Sequence, residues 1–158
     1  MENFKNNTCC IIGHKNILVT NELINKLELV IESLILHFNV TIFLFGSKSE
    51  FNDLCYRIVS ELKCKHNYIK RVNYPCKGEF YILEQEKDYY ENLFKQINKN
   101  KININSFDEI ILIEEIFKGY KSSYIKRNFK MINESAYGLF YYLEDYVPMQ
   151  KKERTLCF

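Results

Sequence analysis

The chain has 158 residues, 47% of them hydrophobic, which is enough for one α/β domain with a sizeable core and too few for two of ordinary size. Its 22 basic and 20 acidic residues leave a net charge of +2 spread along the whole length, so the concentrated basic footprint of a nucleic-acid binder is absent from the sequence. No apolar run approaches the roughly 20 residues that span a bilayer, and residues 1–7 lack an apolar signal region, so the expected compartment is the cytoplasm, with no membrane partner.

The first element is Thr8-Cys9-Cys10-Ile11-Ile12-Gly13-His14-Lys15, a short apolar run that reads as a buried strand opening into a ligand-facing turn. Thr20 or Asn21 can cap the helix that follows. Its apolar positions Leu23, Ile24, Leu27, Val30, Ile31, Leu34 and Ile35 recur every three or four residues, and it is expected to reach about Phe38. The same grammar repeats at Val40 to Ser47, the most apolar strand in the chain and therefore the one expected at the centre of the sheet. A second helix then carries Phe51, Leu54, Cys55, Ile58, Val59 and Leu62 on one face. The turn between them, Gly46-Ser47-Lys48-Ser49-Glu50, can present amides and a lysine to an anion at the helix N-terminus, although it lacks the glycine spacing of a P-loop.

A polar connection from Lys63 to Lys70 leads into a shorter strand near Tyr68 to Val72. Pro75 and Gly78 mark a loop, and residues 74–105 read as a lid or insert containing a Tyr- and Glu-rich helix from Phe80 to Ile97. A fourth strand is expected over Phe107 to Ile113, with Glu114 and Glu115 at its carboxyl end as candidate base or ribose ligands. Ser122 and Ser123 can cap a helix from Tyr124 to Glu134, which carries Lys126, Arg127 and Asn128; a strand from Ala136 to Tyr142 and a short tail over 148–158 complete the chain. The fold class is α/β, a Rossmann-like three-layer sandwich in which a mainly parallel sheet of about five strands lies between helices in a single domain, 1–158.

Cys9, Cys10, Cys55, Cys64, Cys76 and Cys157 form no Cys-x-x-Cys pair, and their spacing fits small buried hydrophobes rather than a metal site or a disulfide framework. No metal ligand, catalytic residue or resident cofactor is assigned from the sequence.

On these residues the chain resembles the SLOG superfamily, a Rossmann-like group that includes cytokinin-activating phosphoribohydrolases, DNA processing protein A and YpsA-like proteins of Gram-positive bacteria and their phages. The likeness rests on Thr8 to Lys15 (the family's Thr-Gly-His-Arg turn), Phe45 to Cys55, Lys126 to Ile132, and Tyr141-Tyr142 leading to Tyr146-Val147-Pro148. It is nearest the YpsA-like branch, and it runs over nearly the whole chain in the expected order. The resemblance implies a nucleotide or nucleotide-derived ligand at the carboxyl edge of the sheet. Gly13 and His14 would line its base or ribose side with Lys15 beside them; Gly46 and Ser47 would approach it, with Lys48, Glu50 and Phe51 following; Arg127 would supply positive charge next to Asn128, and Glu114 would close the set.

Family members commonly continue past the Tyr-Val-Pro turn into a Ser-Gly-Thr phosphate loop, which this sequence does not contain, and Asn52 stands where many relatives have Asp. The expected function is accordingly binding, including sequestration, of a nucleotide or ADP-ribose-derived signalling molecule without catalysis. Two alternatives remain open: a nucleotide N-glycosidase using Glu114 or Glu115, and an interaction module that forms a homodimer through an exposed sheet edge.

Overall fold

The computed structural model describes residues 4–46, 49–74, 107–110 and 120–143. A 3-10 turn, Phe4–Asn7, leads into β1, Thr8–Gly13, and then α1, Asn21–His37; β2 is Ile42–Phe45 and α2 is Glu50–Lys65. β3, Lys70–Asn73, is joined at its edge by β4, a two-residue segment at Glu109–Ile110; α3, Tyr120–Asn133, then leads to β5, Tyr137–Tyr141. All the strand pairs are parallel, in the order β4-β3-β2-β1-β5. The chain is therefore an α/β sandwich of Rossmann-like layering, with β2 in the middle of the sheet.

The direction of travel decides where the helices go. From β1 to β3 the chain steps one way through right-handed crossovers, so α1 and α2 cover one face; the step back to β5 places α3 on the other. Strand alternation matches this division. Cys9, Ile11, Phe43 and Phe45 point to the side of α1 and α2, where Leu27, Ile31, Ile35, Leu54, Cys55, Ile58, Val59 and Leu62 meet them. Cys10, Leu44, Val72 and Tyr74 point to the other side and pack with Met131 of α3.

Local chemistry sets the element ends. Thr20 Oγ1 accepts the Leu23 amide 3.1 Å away, and Ser49 Oγ accepts the Asn52 amide at 3.0 Å, the side-chain caps that answer otherwise orphaned helix donors. Beyond α1, Asn39 takes a positive φ of 55°, which asparagine tolerates, and the Val40 amide turns back to the Leu34 carbonyl.

Several boundaries differ from the sequence expectation. α2 continues through Lys63 to Lys65, because the Lys63 ammonium is held by the Ile69 carbonyl and the Asp108 carboxylate and so serves packing as well as solvent. β3 consequently starts at Lys70 rather than Tyr68. α3 begins at Tyr120, so Ser122 and Ser123 lie within its first turn instead of capping it. Val30, placed on the apolar face of α1, is exposed, whereas Cys9, Cys10 and Cys55 are buried as expected and Cys64 is not. The lid reading of 74–105 falls outside the described residues apart from Tyr74, as does the tail over 148–158.

Near the sheet edge, the buried Arg71 is the centre of a network that includes the charges of Asp108 and Lys63. Its guanidinium meets Asp108 at 3.1 Å, Ser60 at 3.0 Å and the Tyr56 hydroxyl at 3.3 Å. Partial burial works to raise the Asp108 carboxyl, but Arg71 and Lys63 outweigh it and hold the group down to about 2.

Candidate functional site

At the carboxyl edge of the sheet the chain reverses its direction of strand addition between β1 and β5, which is where an open parallel sheet leaves a crevice for a ligand. The turn after β1, the turn after β2 and the end of β5 meet there. Register pairs Gly13 with Tyr141, and Ile11 with Phe45, so Gly13 and Gly46 leave adjacent strands on the same edge.

The two glycines admit different partners. A Cβ at Gly46 would lie 3.0 Å from Arg127 Nε, 3.2 Å from Met131 Sδ and 3.4 Å from Arg127 Cζ, so the guanidinium of α3 rests against the end of the central strand. Arg127 is 1% exposed, and its Cζ lies 4.8 Å from the Tyr124 ring centroid, within cation–π range. A Cβ at Gly13 would instead stand 2.2 Å from the Phe51 ring. Phe51 is buried and stacks on Tyr141 with 5.2 Å between centroids. Phe51, expected beside the ligand, is thus an interior side chain, and on that face the missing Gly13 side chain makes room for it rather than for a ligand.

Glu50 and Lys15 also have work inside the chain. The Glu50 carboxylate accepts the Ile17 amide at 2.6 Å and the Glu50 amide donates to the Lys15 carbonyl at 2.8 Å, so the first residue of α2 ties down the loop after β1. Asn52, which the sequence reading noted only as a departure, holds the other loop. Its Oδ1 accepts the Gly46 amide at 3.3 Å and its Nδ2 donates to Ser49 Oγ at 2.8 Å, an orientation fixed because Gly46 offers only a donor. The spacing Ser49-x-x-Asn52, a helix cap with a polar residue at its third helical position, was the available signal for this pair.

These bonds take up part of the α2 N-terminus, where an anion site was expected with Ser47 and Lys48, two residues outside the described ones. The amides of Glu50, Asn52 and Asp53 are answered by Lys15, by Ser49 Oγ and by the Ser49 carbonyl, and the first turn carries the carboxylates of Glu50 and Asp53. Among the described residues these amides are engaged within the chain, and Arg127 is a buried cation at this edge.

His14 projects from the end of β1 toward β5. Its Nε2 accepts the Leu143 amide at 3.0 Å, which requires the neutral ring with its proton on Nδ1, and the ring lies 5.5 Å from Tyr142 and 6.1 Å from Tyr141. Tyr142, missed by the sequence reading, is 75% exposed. Asn128 is half-buried one residue along α3 from Arg127, while Ser47, Lys48 and Glu114 lie outside the described residues. The described part of the edge therefore joins a buried guanidinium, a neutral imidazole and an open tyrosine ring, a set suited to anionic and aromatic groups.

A scan against protein-family models and a search of curated proteins return no match. Among the described residues no group of three or more His, Cys, Asp or Glu could hold a metal ion. Burial, with Cys10 as a lesser contributor, pushes the Cys9 thiol up to about 12; burial likewise raises Cys55 and Cys10. These thiols stay protonated and behave as apolar packing. No helix among the described residues is long and apolar enough to cross a membrane.

Proposed function

We propose that the chain binds a nucleotide or ADP-ribose-derived small molecule at the carboxyl edge of its sheet, in the crevice between the ends of β2, β1 and β5, and that it acts by capture of this ligand. The observation that carries the reading is the position of Arg127: its guanidinium lies against Gly46 at the end of the central strand, so positive charge stands at the edge where a parallel sheet leaves a crevice and where an anionic group would dock. His14 and Tyr142, whose rings lie 5.5 Å apart, would meet the base or ribose side, the tyrosine with its exposed ring face. The likeness of the Gly13-His14-Lys15 and Gly46 turns to the SLOG superfamily points to the same class of ligand.

Calorimetry against adenine nucleotides and cyclic ADP-ribose isomers tests this reading. At least one of them is expected to bind with Kd below about 100 μM, and Arg127→Gln is expected to weaken it about tenfold, or ~1.4 kcal/mol. A folded wild-type chain that binds none of the panel would overturn the proposal.

A further inference from the structure

α3 has one polar and one apolar flank, and their directions can be read from its contacts. Successive helical residues turn by about 100°, so with Arg127 and Met131 facing the sheet, Lys130 and Glu134 fall on one side, Ile125 and Ile132 on the other, and Phe129 points straight out from the sheet between Ile125 and Lys126. Glu134 receives the Tyr74 hydroxyl from the end of β3, so the polar flank looks over β3. The apolar flank therefore looks the opposite way, over β5. Phe129 is 60% exposed, and Ile125 and Ile132 are exposed beside it.

β5 is the outermost strand on that side of the sheet, and among the described residues no strand pairs with its free edge. On the side of α3 it presents Gly138, Phe140 and Tyr142, with the Phe140 ring folded over Gly138 and 58% exposed. From Tyr137 to Leu143 it carries no charge and no proline, two of the features that keep edge strands apart. Helix flank and strand together form an uncharged ledge, with α3 as its wall and β5 as its floor.

We propose that two copies of this chain associate across a two-fold axis through β5, the strands pairing antiparallel so that the sheet runs on from one copy into the other and the two ledges face each other. A second copy suits the ledge because only another strand satisfies the outer backbone groups of β5. The same apolar surface repeated across the axis is also self-complementary. Ile125, Ile132, Phe140, Tyr142 and Leu143 expose on the order of 600 Å² per copy, to which the strand backbone adds, toward the roughly 800 Å² that a stable interface takes from each partner. Antiparallel pairing points the two carboxyl edges in opposite directions, and Tyr142, at the end of β5, is shared between the ledge and the ligand edge.

Sedimentation of the full chain between about 1 and 100 μM tests this. The wild type is expected at twice its mass of 19.0 kDa. Phe140→Lys and Ile132→Lys are expected to be folded monomers by circular dichroism; Ile132 lies on an exposed helix flank and serves should the strand variant not fold. Leu29→Lys, which places the same charge on an exposed position of α1 across the sheet, is expected to remain a dimer. A monomeric wild type at about 100 μM would overturn the proposal, whichever segment then covers the ledge. So would a dimer that survives both ledge substitutions, or one that Leu29→Lys abolishes equally.

Discussion

Arg127 lies against Gly46 closely enough that a methyl group at residue 46 would stand 3.0 Å from its Nε. The guanidinium of α3 and the end of the central strand thus occupy each other's space, and this contact brings positive charge to the carboxyl edge. Gly46→Ala is expected to displace Arg127 by a few tenths of an ångström. Stability should fall by about 1 kcal/mol and ligand affinity by severalfold, as read by denaturant unfolding and calorimetry.

Gly13→Ala should behave differently although the residue types are the same. The added Cβ would fall 2.2 Å from the ring of Phe51, which is buried and stacked on Tyr141 and has little freedom to move. A loss of about 2–3 kcal/mol is expected in urea unfolding, larger than for Gly46→Ala. The reverse order would show that the ring yields more readily than the guanidinium.

Asn52→Ala removes the acceptor for the Gly46 amide and one donor to Ser49. Because Asn52 is buried, the loop should lose about 1–3 kcal/mol, visible as a lower unfolding midpoint. Asn52→Asp keeps the acceptor, and the Ser49 hydroxyl can turn to donate to it, so this variant is expected to fall much closer to wild type.

Asp108 sets an acid limb of stability. Its carboxyl has an ordinary value of 3.8 and is held to about 2 in the fold, where Arg71 and Lys63 outweigh the effect of burial. A depressed carboxylate contributes stability that is present above the ordinary value and lost as pH falls from there through the folded one. Unfolding free energy should therefore decline between pH 3.8 and about 2, and Asp108→Asn should flatten that decline. At pH 7 the same substitution is expected to cost about 2 kcal/mol, since it deprives the buried Arg71 of its counter-charge.

Thiol labelling separates packed cysteines from open ones. Alkylation of the native protein followed by peptide mass mapping should modify Cys64 readily and leave Cys9, Cys10 and Cys55 protected until denaturant is added. Native labelling of Cys9 would mean that β1 is not the buried strand described.

The sheet was largely legible in the sequence because its signals are local and repeated. The apolar runs at Thr8 to Gly13 and Val40 to Phe45, each followed by a helical period, identify β1-α1 and β2-α2, and the lack of polar alternation in β2 places it at the centre. Arg127 was singled out from the family likeness, and the fold brings it to Gly46. What could not be read is who occupies whom. Phe51 and Glu50 sit next to the second turn in sequence and looked like ligand contacts; instead Phe51 fills the space at Gly13, 38 positions earlier in the numbering, and Glu50 braces Ile17, 33 positions away. Such contacts arise only when β1 and α2 pack. The same holds for the two flanks of α3, since periodicity separates Ile132 from Lys130 without saying which flank looks over β5.

Titration of labelled protein with ADP-ribose, followed amide by amide in two-dimensional NMR, tests the central claim most directly. Shifts are expected to concentrate at Gly13 to Lys15, Gly46, Tyr141 to Leu143 and the Arg127 side chain, and to shrink in Arg127→Gln. Shifts confined to other surfaces, or an unperturbed spectrum at millimolar nucleotide, would contradict a ligand site at this edge.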